Sequence, residues 1–183
     1  MIINNIDEKL LRNILKYIDS NREHLMFSIE MATSLWGDIY IELHKENGCG
    51  ILFSFFEGVG YDKSSCFYNL INVHRINCIN SGIGKNFDDM YDSFDYSPYI
   101  FKTELSADDY NNILSIMESN PLPSVEYKQG GHDGFDVTFH NYVLCDSVYR
   151  YWCYPPSGYE FISAINKILS VYISDDYRRF FLY

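Results

Sequence analysis

The densest run of chemistry-bearing side chains is Phe87-Asp88-Asp89-Met90-Tyr91-Asp92-Ser93-Phe94-Asp95-Tyr96, four carboxylates interleaved with aromatics and with no basic residue among them. Carboxylates placed in this way make charge-assisted hydrogen bonds to Arg or Lys, and aromatics between them supply anchor area, so the run suits an edge that receives a basic partner. Asp88, Asp89, Asp92 and Asp95 are the candidate charges, and Tyr91 and Tyr96 the candidate anchors. A solvated acidic loop whose aromatics turn into the core is the alternative reading of the same residues.

Other constellations carry less. Asp88-Asp89-Met90-Tyr91-Asp92 matches the carboxylate spacing by which terpene synthases hold magnesium, but such enzymes need a large all-helical fold and a second metal motif, so no metal is assigned. His132 and Asp133, with His140 and Cys145 nearby in sequence, contain the residue types of a nucleophile, its base and an orienting group. Cys145 follows Tyr142, Val143 and Leu144 in an apolar stretch, where a buried inert thiol is the plainer reading. Gly82-Ile83-Gly84-Lys85 lacks the spacing of a phosphate loop and reads as a turn. No cofactor is implied. Tyr149, Tyr151, Trp152 and Tyr154 crowd one stretch and, in a strand, divide between its two faces.

Charge separates the function classes more sharply than these motifs. The chain has 14 Lys and Arg against 25 Asp and Glu, a formal charge of −11, which repels phosphate backbones and anionic lipid surfaces and attracts cations. Nucleic acid and membranes are therefore disfavoured as partners. Abundant Ile, Asn, Tyr and Phe with only three Ala is a composition that an AT-rich bacterial genome produces, but such genomes also inflate Lys, and Lys occurs only eight times. The five cysteines show no C-x-x-C spacing, and the first residues lack the apolar run of a signal peptide, so reduced thiols in the cytosol are expected.

The elements that must position these residues follow from periodicity. Ile6, Leu10, Leu11, Ile14 and Ile18 recur at helical spacing after Asn5 and Glu8. Leu25 to Met31 and Ile39 to His44 alternate as half-buried strands expected to pack on that helix, and Asn47-Gly48-Cys49-Gly50 connects the second to a strand at Ile51 to Phe56. A strand is assigned around Phe67 to Val73, an exposed loop from Asn86 to Pro98, and a strand from Tyr99 to Leu105. Ser106 and Asp109 then cap a helix that Asn120-Pro121 stops. Val125 to Gln129 and Phe135 to Val143 are expected to pair across Gly130-Gly131-His132-Asp133-Gly134, with Val148 to Tyr154 as a third strand. Ser157 and Glu160 open a helix through Tyr172, and Ser174 a short last one. Residues 1–183 thus read as a single α+β domain, a largely antiparallel sheet packed against N-terminal and C-terminal helices.

The stretch from Gly131-His132-Asp133-Gly134 through Phe135-Asp136-Val137-Thr138-Phe139 to Tyr149-Arg150-Tyr151-Trp152-Cys153-Tyr154-Pro155-Pro156, followed by a helix, resembles a pattern in small bacterial proteins, several of them immunity proteins of polymorphic toxin systems. It covers roughly the last third of the chain. The resemblance implies a cytosolic, acidic antidote that binds a delivered toxin domain. Taken with the charge, the expectation is a monomer or weak homodimer that occludes a basic, nuclease-like toxin domain without turnover. Two alternatives stay open: a hydrolase with an unrecognised His/carboxylate site, and an oligomeric structural or phage-associated protein.

Overall fold

The computed structural model describes residues 8–18, 22–33, 38–56, 67–82, 92–120, 123–126, 134–143, 146–178 and 181–182. Among them stand α1 (Glu8–Leu15), β1 (Leu25–Thr33), β2 (Ile39–Glu46), β3 (Cys49–Phe56), α2 (Phe67–Asn80) and β4 (Ile100–Glu104). These are followed by α3 (Ala107–Ser119), β5 (Val125–Glu126), β6 (Phe135–Asn141), β7 (Ser147–Trp152), α4 (Phe161–Leu169) and α5 (Asp175–Arg178). The described strands form one seven-stranded sheet in the order β4-β3-β2-β1-β6-β7-β5, antiparallel except for β5 beside β7. The expected α+β class is the observed one.

Helices cover both faces of this sheet. On one face Phe27, Ile29 and Met31 of β1, Ile39, Ile41 and Leu43 of β2, Val137 and Phe139 of β6 and Tyr149 and Tyr151 of β7 meet Tyr110, Ile113 and Met117 of α3 and Phe161, Ile162, Ile165 and Leu169 of α4. On the other, Ile14 of α1 and Ile18 just beyond it meet Tyr40, Ile51, Phe53 and Phe55 together with Phe94 and Tyr96. The apolar residues of β1 therefore face the C-terminal helices and not α1, because side chains alternate across a strand and Ile29 lies beside Ile41 in the register.

Several local signals act as their chemistry requires. Asn47 and Gly48 both have positive φ, 51° and 86°, which suits a tight turn between twisted strands. Ser106 accepts the Asp109 N–H at 3.1 Å, satisfying an orphan donor of the first turn of α3. Cys153 also adopts a positive φ of 56°, which ends β7 at Trp152, two residues before the expected end. α4 starts at Phe161 without a side-chain cap, and the carboxylate of Glu160 instead accepts the Gly158 N–H at 3.0 Å.

Two further expectations are corrected. The strand assigned to Phe67 to Val73 is the start of α2, a 14-residue helix. β5 does not pair with β6: the register places Val125 and Glu126 parallel to Tyr149 and Arg150, since both edges of β6 are already occupied by β1 and β7.

Candidate functional site

The acidic run can be followed in the structure from Asp92 onward; Asp88, Asp89 and Tyr91 lie outside the described residues. Asp92 and Asp95 are exposed, whereas Phe94 and Tyr96 are buried, Tyr96 to 1% exposure. The aromatics fasten the segment. Phe94 lies edge-on to Tyr96 at 5.2 Å and stacks with Tyr99 at 5.8 Å, and His74 of α2 meets the Phe94 ring edge-on at 5.3 Å. Asn13 Nδ2 of α1 donates to the Tyr96 hydroxyl at 3.5 Å. Tyr96 is thus no anchor for a partner: its ring fills the core beneath α1, and the outward-facing groups are the carboxylates.

Each of the two visible carboxylates has a local neighbour. Lys16 Nζ stands 3.4 Å from Asp92 Oδ1 with both side chains more than half exposed, and such pairs contribute little and are screened by salt. Asp95 Oδ1 accepts the Ser97 hydroxyl at 2.7 Å and the Ser97 N–H at 3.0 Å. These two bonds, the hydroxyl first, hold the Asp95 carboxyl below the usual aspartate range, so it stays charged.

A second constellation, invisible as such in the sequence, spans the α1 face of the sheet across β2, β1, β6 and β7. Tyr40, Glu42 and His44 point the same way from β2 and are all at 2% exposure. The Tyr40 hydroxyl donates to Glu42 Oε1, and His44 Nε2 lies 2.7 Å from Glu42 Oε2, so one carboxylate receives two side chains of its own strand. The register sets Glu30 of β1 beside Tyr40 and Thr138, and Arg150 of β7 beside Thr138. Burial pushes the Glu30 carboxyl above the ordinary glutamate range; Arg150 and His140 pull it down, and Glu42 pushes it further up. At the β6–β7 end, His140 Nε2 is 2.5 Å from Asp146 Oδ1 and its ring stacks on Tyr142 at 3.9 Å.

Of the residues weighed for nucleophilic chemistry, His132, Asp133 and Cys145 lie outside the described residues, and His140 is the one that can be placed. Its carboxylate neighbour is Asp146. The buried Tyr40–Glu42–His44 ladder was missed because the same alternation describes a strand whose polar side faces water; the signal it carries is a Glu and a His, two residues apart, alternating with Ile39, Ile41 and Leu43. Among the described residues no three His, Cys, Asp or Glu side chains are grouped to hold a metal ion, and no described helix is long and apolar enough to cross a membrane. No protein-family model, curated protein or solved structure matches the chain.

Proposed function

We propose that this chain is a cytoplasmic immunity or inhibitor protein that binds and occludes a basic toxin domain, acting by stoichiometric association. The observation that carries this reading is the arrangement at Asp92 to Tyr96, where buried aromatics hold exposed carboxylates in place on a chain of net charge −11. Fixed charges lose less entropy on meeting a partner than mobile ones, and a negative field speeds the approach of a cationic domain. A nuclease-like toxin presents cations to its own phosphate substrate, so an acidic edge can occupy that surface in the substrate's stead. The likeness of the last third to immunity proteins points the same way.

One observation favours a hydrolase instead. His140 is paired with Asp146 on the sheet face that also carries Glu30, whose carboxyl burial pushes up, and a histidine held by one carboxylate near another supplies the residue types of general acid–base catalysis. The two readings part in one experiment: if the gene immediately upstream encodes a secreted protein with a basic C-terminal domain, affinity for that domain is measured for wild type and for Asp88→Asn/Asp89→Asn/Asp92→Asn/Asp95→Asn, and an upstream gene of another kind counts against inhibition. Inhibition predicts a one-to-one complex whose dissociation constant rises about tenfold or more in the variant, and again as salt is raised. An affinity indifferent to both treatments removes the acidic edge from the interface.

A further inference from the structure

β4 forms one rim of the sheet, with β3 on its inner side and no described strand on its outer side. The Leu105 N–H donates to the Gly50 carbonyl at 2.9 Å, so the backbone groups of Leu105 turn towards β3. Backbone direction alternates along a strand, and the register carries that alternation through Thr103 beside Leu52 and Phe101 beside Ser54. Lys102 and Glu104, which lie between these residues, therefore turn their amides and carbonyls outward. Their side chains stand on the α1 face, where Lys102 Nζ is 5.2 Å from the centroid of the Phe53 ring, and both are exposed. On the opposite face Phe101 is 53% exposed, in line with Thr103 and the buried Leu105.

We propose that β4 pairs with β4 of a second copy of this chain, antiparallel about a two-fold axis at Thr103, so that two sheets join into one. Backbone bonds close across the rim only when outward residues meet outward residues, which restricts the axis to Phe101, Lys102, Thr103 or Glu104. An axis at Lys102 or at Glu104 sets that charge directly against its own copy, which destabilises the pair. An axis at Phe101 sets Glu104 against Pro98, which has no N–H to donate. With the axis at Thr103, Lys102 of each copy meets Glu104 of the other, and each exposed Phe101 lies opposite Leu105 of the other. One arrangement thus serves the outward amides, the charges and the exposed ring together. Lys102 gives up little to reach it, since its present neighbour is Glu46 at 3.4 Å in an exposed pair. The charge of −11 on each copy opposes the meeting, but at physiological salt such a field decays over about 8 Å. A strand of five residues covers far less than the roughly 800 Å² per partner of a tight complex, so the dimer is a weak one. The pairing closes on itself and uses up the rim, and it holds whether or not the chain is an inhibitor.

Sedimentation equilibrium on the full chain at physiological salt, at concentrations up to about 1 mM, should show a reversible monomer–dimer equilibrium. Lys102→Glu and Glu104→Lys each set like charges against one another at both pair positions, and each should raise the dissociation constant about tenfold or more. Lys102→Glu/Glu104→Lys restores opposite charges and should return it to within about threefold of wild type. Thr103→Cys reads the register without touching a charge. Facing Cα atoms of a non-hydrogen-bonded pair lie about 4.5 Å apart, within disulfide range, so mild oxidation should link two copies of this variant above the background set by the wild-type thiols. A wild-type chain that stays monomeric over that range overturns the proposal, as does a dimer indifferent to the single charge variants or a double variant no tighter than the singles. Cross-linking by Lys102→Cys in place of Thr103→Cys moves the axis to Lys102 and overturns the charge argument.

Discussion

Replacing Glu42 by Leu tests whether the buried ladder on β2 is held together by its central carboxylate. The substitution keeps the volume and leaves two donors, the Tyr40 hydroxyl and the His44 ring nitrogen, at 2% exposure with their carboxylate gone. An unsatisfied buried polar group costs about 1–3 kcal/mol, and the substitution leaves two of them. Loss of the Glu42 charge also relieves its push on Glu30, a smaller effect of opposite sign. The net expectation is a loss of about 3 kcal/mol, a large part of the roughly 5–15 kcal/mol that holds a domain folded. With a urea slope of about 2 kcal/mol per molar, the midpoint falls by about 1.5 M. The second half of the experiment is Tyr40→Phe/Glu42→Leu/His44→Leu, which removes the orphaned donors together with the carboxylate. Buried ionic groups replaced as a set by apolar ones are often tolerated, so the triple variant should recover to within about 1 kcal/mol of wild type. Equilibrium urea unfolding followed by far-ultraviolet circular dichroism reads both. A single variant that loses under about 0.5 kcal/mol, or a triple variant no better than the single, would falsify the satisfaction argument.

Glu30 and Gly50 give two further expectations. Glu30 binds its proton more tightly in the folded chain than in the unfolded one, so its contribution is favourable below the ordinary glutamate value and is lost as pH rises through the folded value. Glu30→Gln should therefore gain stability relative to wild type as pH is raised from about 4 towards neutrality, and parallel stability curves for the two proteins would count against the desolvated carboxyl. At Gly50 a Cβ would fall 2.6 Å from Cδ2 of Tyr110, a ring at 2% exposure in the core. Gly50→Ala should cost about 1–3 kcal/mol by urea unfolding, and adding Tyr110→Leu should return much of it; an unchanged midpoint would mean that the ring yields freely.

What could be read from the sequence was what depends on neighbours in the chain. The cap at Ser106 and Asp109 and the turn at Asn47-Gly48 are local chemistry, and they sit where the residues say. α2 escaped because its apolar residues lie all round the helix: Cys78 is buried while Val73, Ile76 and Ile79 are exposed, so no single stripe marks its period. The partner of β5 escaped because nothing in a two-residue strand encodes which edge it will join. At the acidic run the composition was legible but the direction of each side chain was not. Tyr96 read as a surface anchor and proves to be a core residue, since a tyrosine whose hydroxyl finds Asn13 can be fully buried.

The sheet order places β4 at one rim and β5 at the other. An outer strand exposes unpaired amides that can template the addition of a foreign strand, and this is how folded chains begin to polymerise. Among the described residues one rim consists of Val125 and Glu126, too short to register a guest, and the other carries Lys102 and Glu104 among its exposed residues. For a chain so rich in β-forming Ile, Tyr and Phe, rims this short or this charged work against sideways growth into fibres.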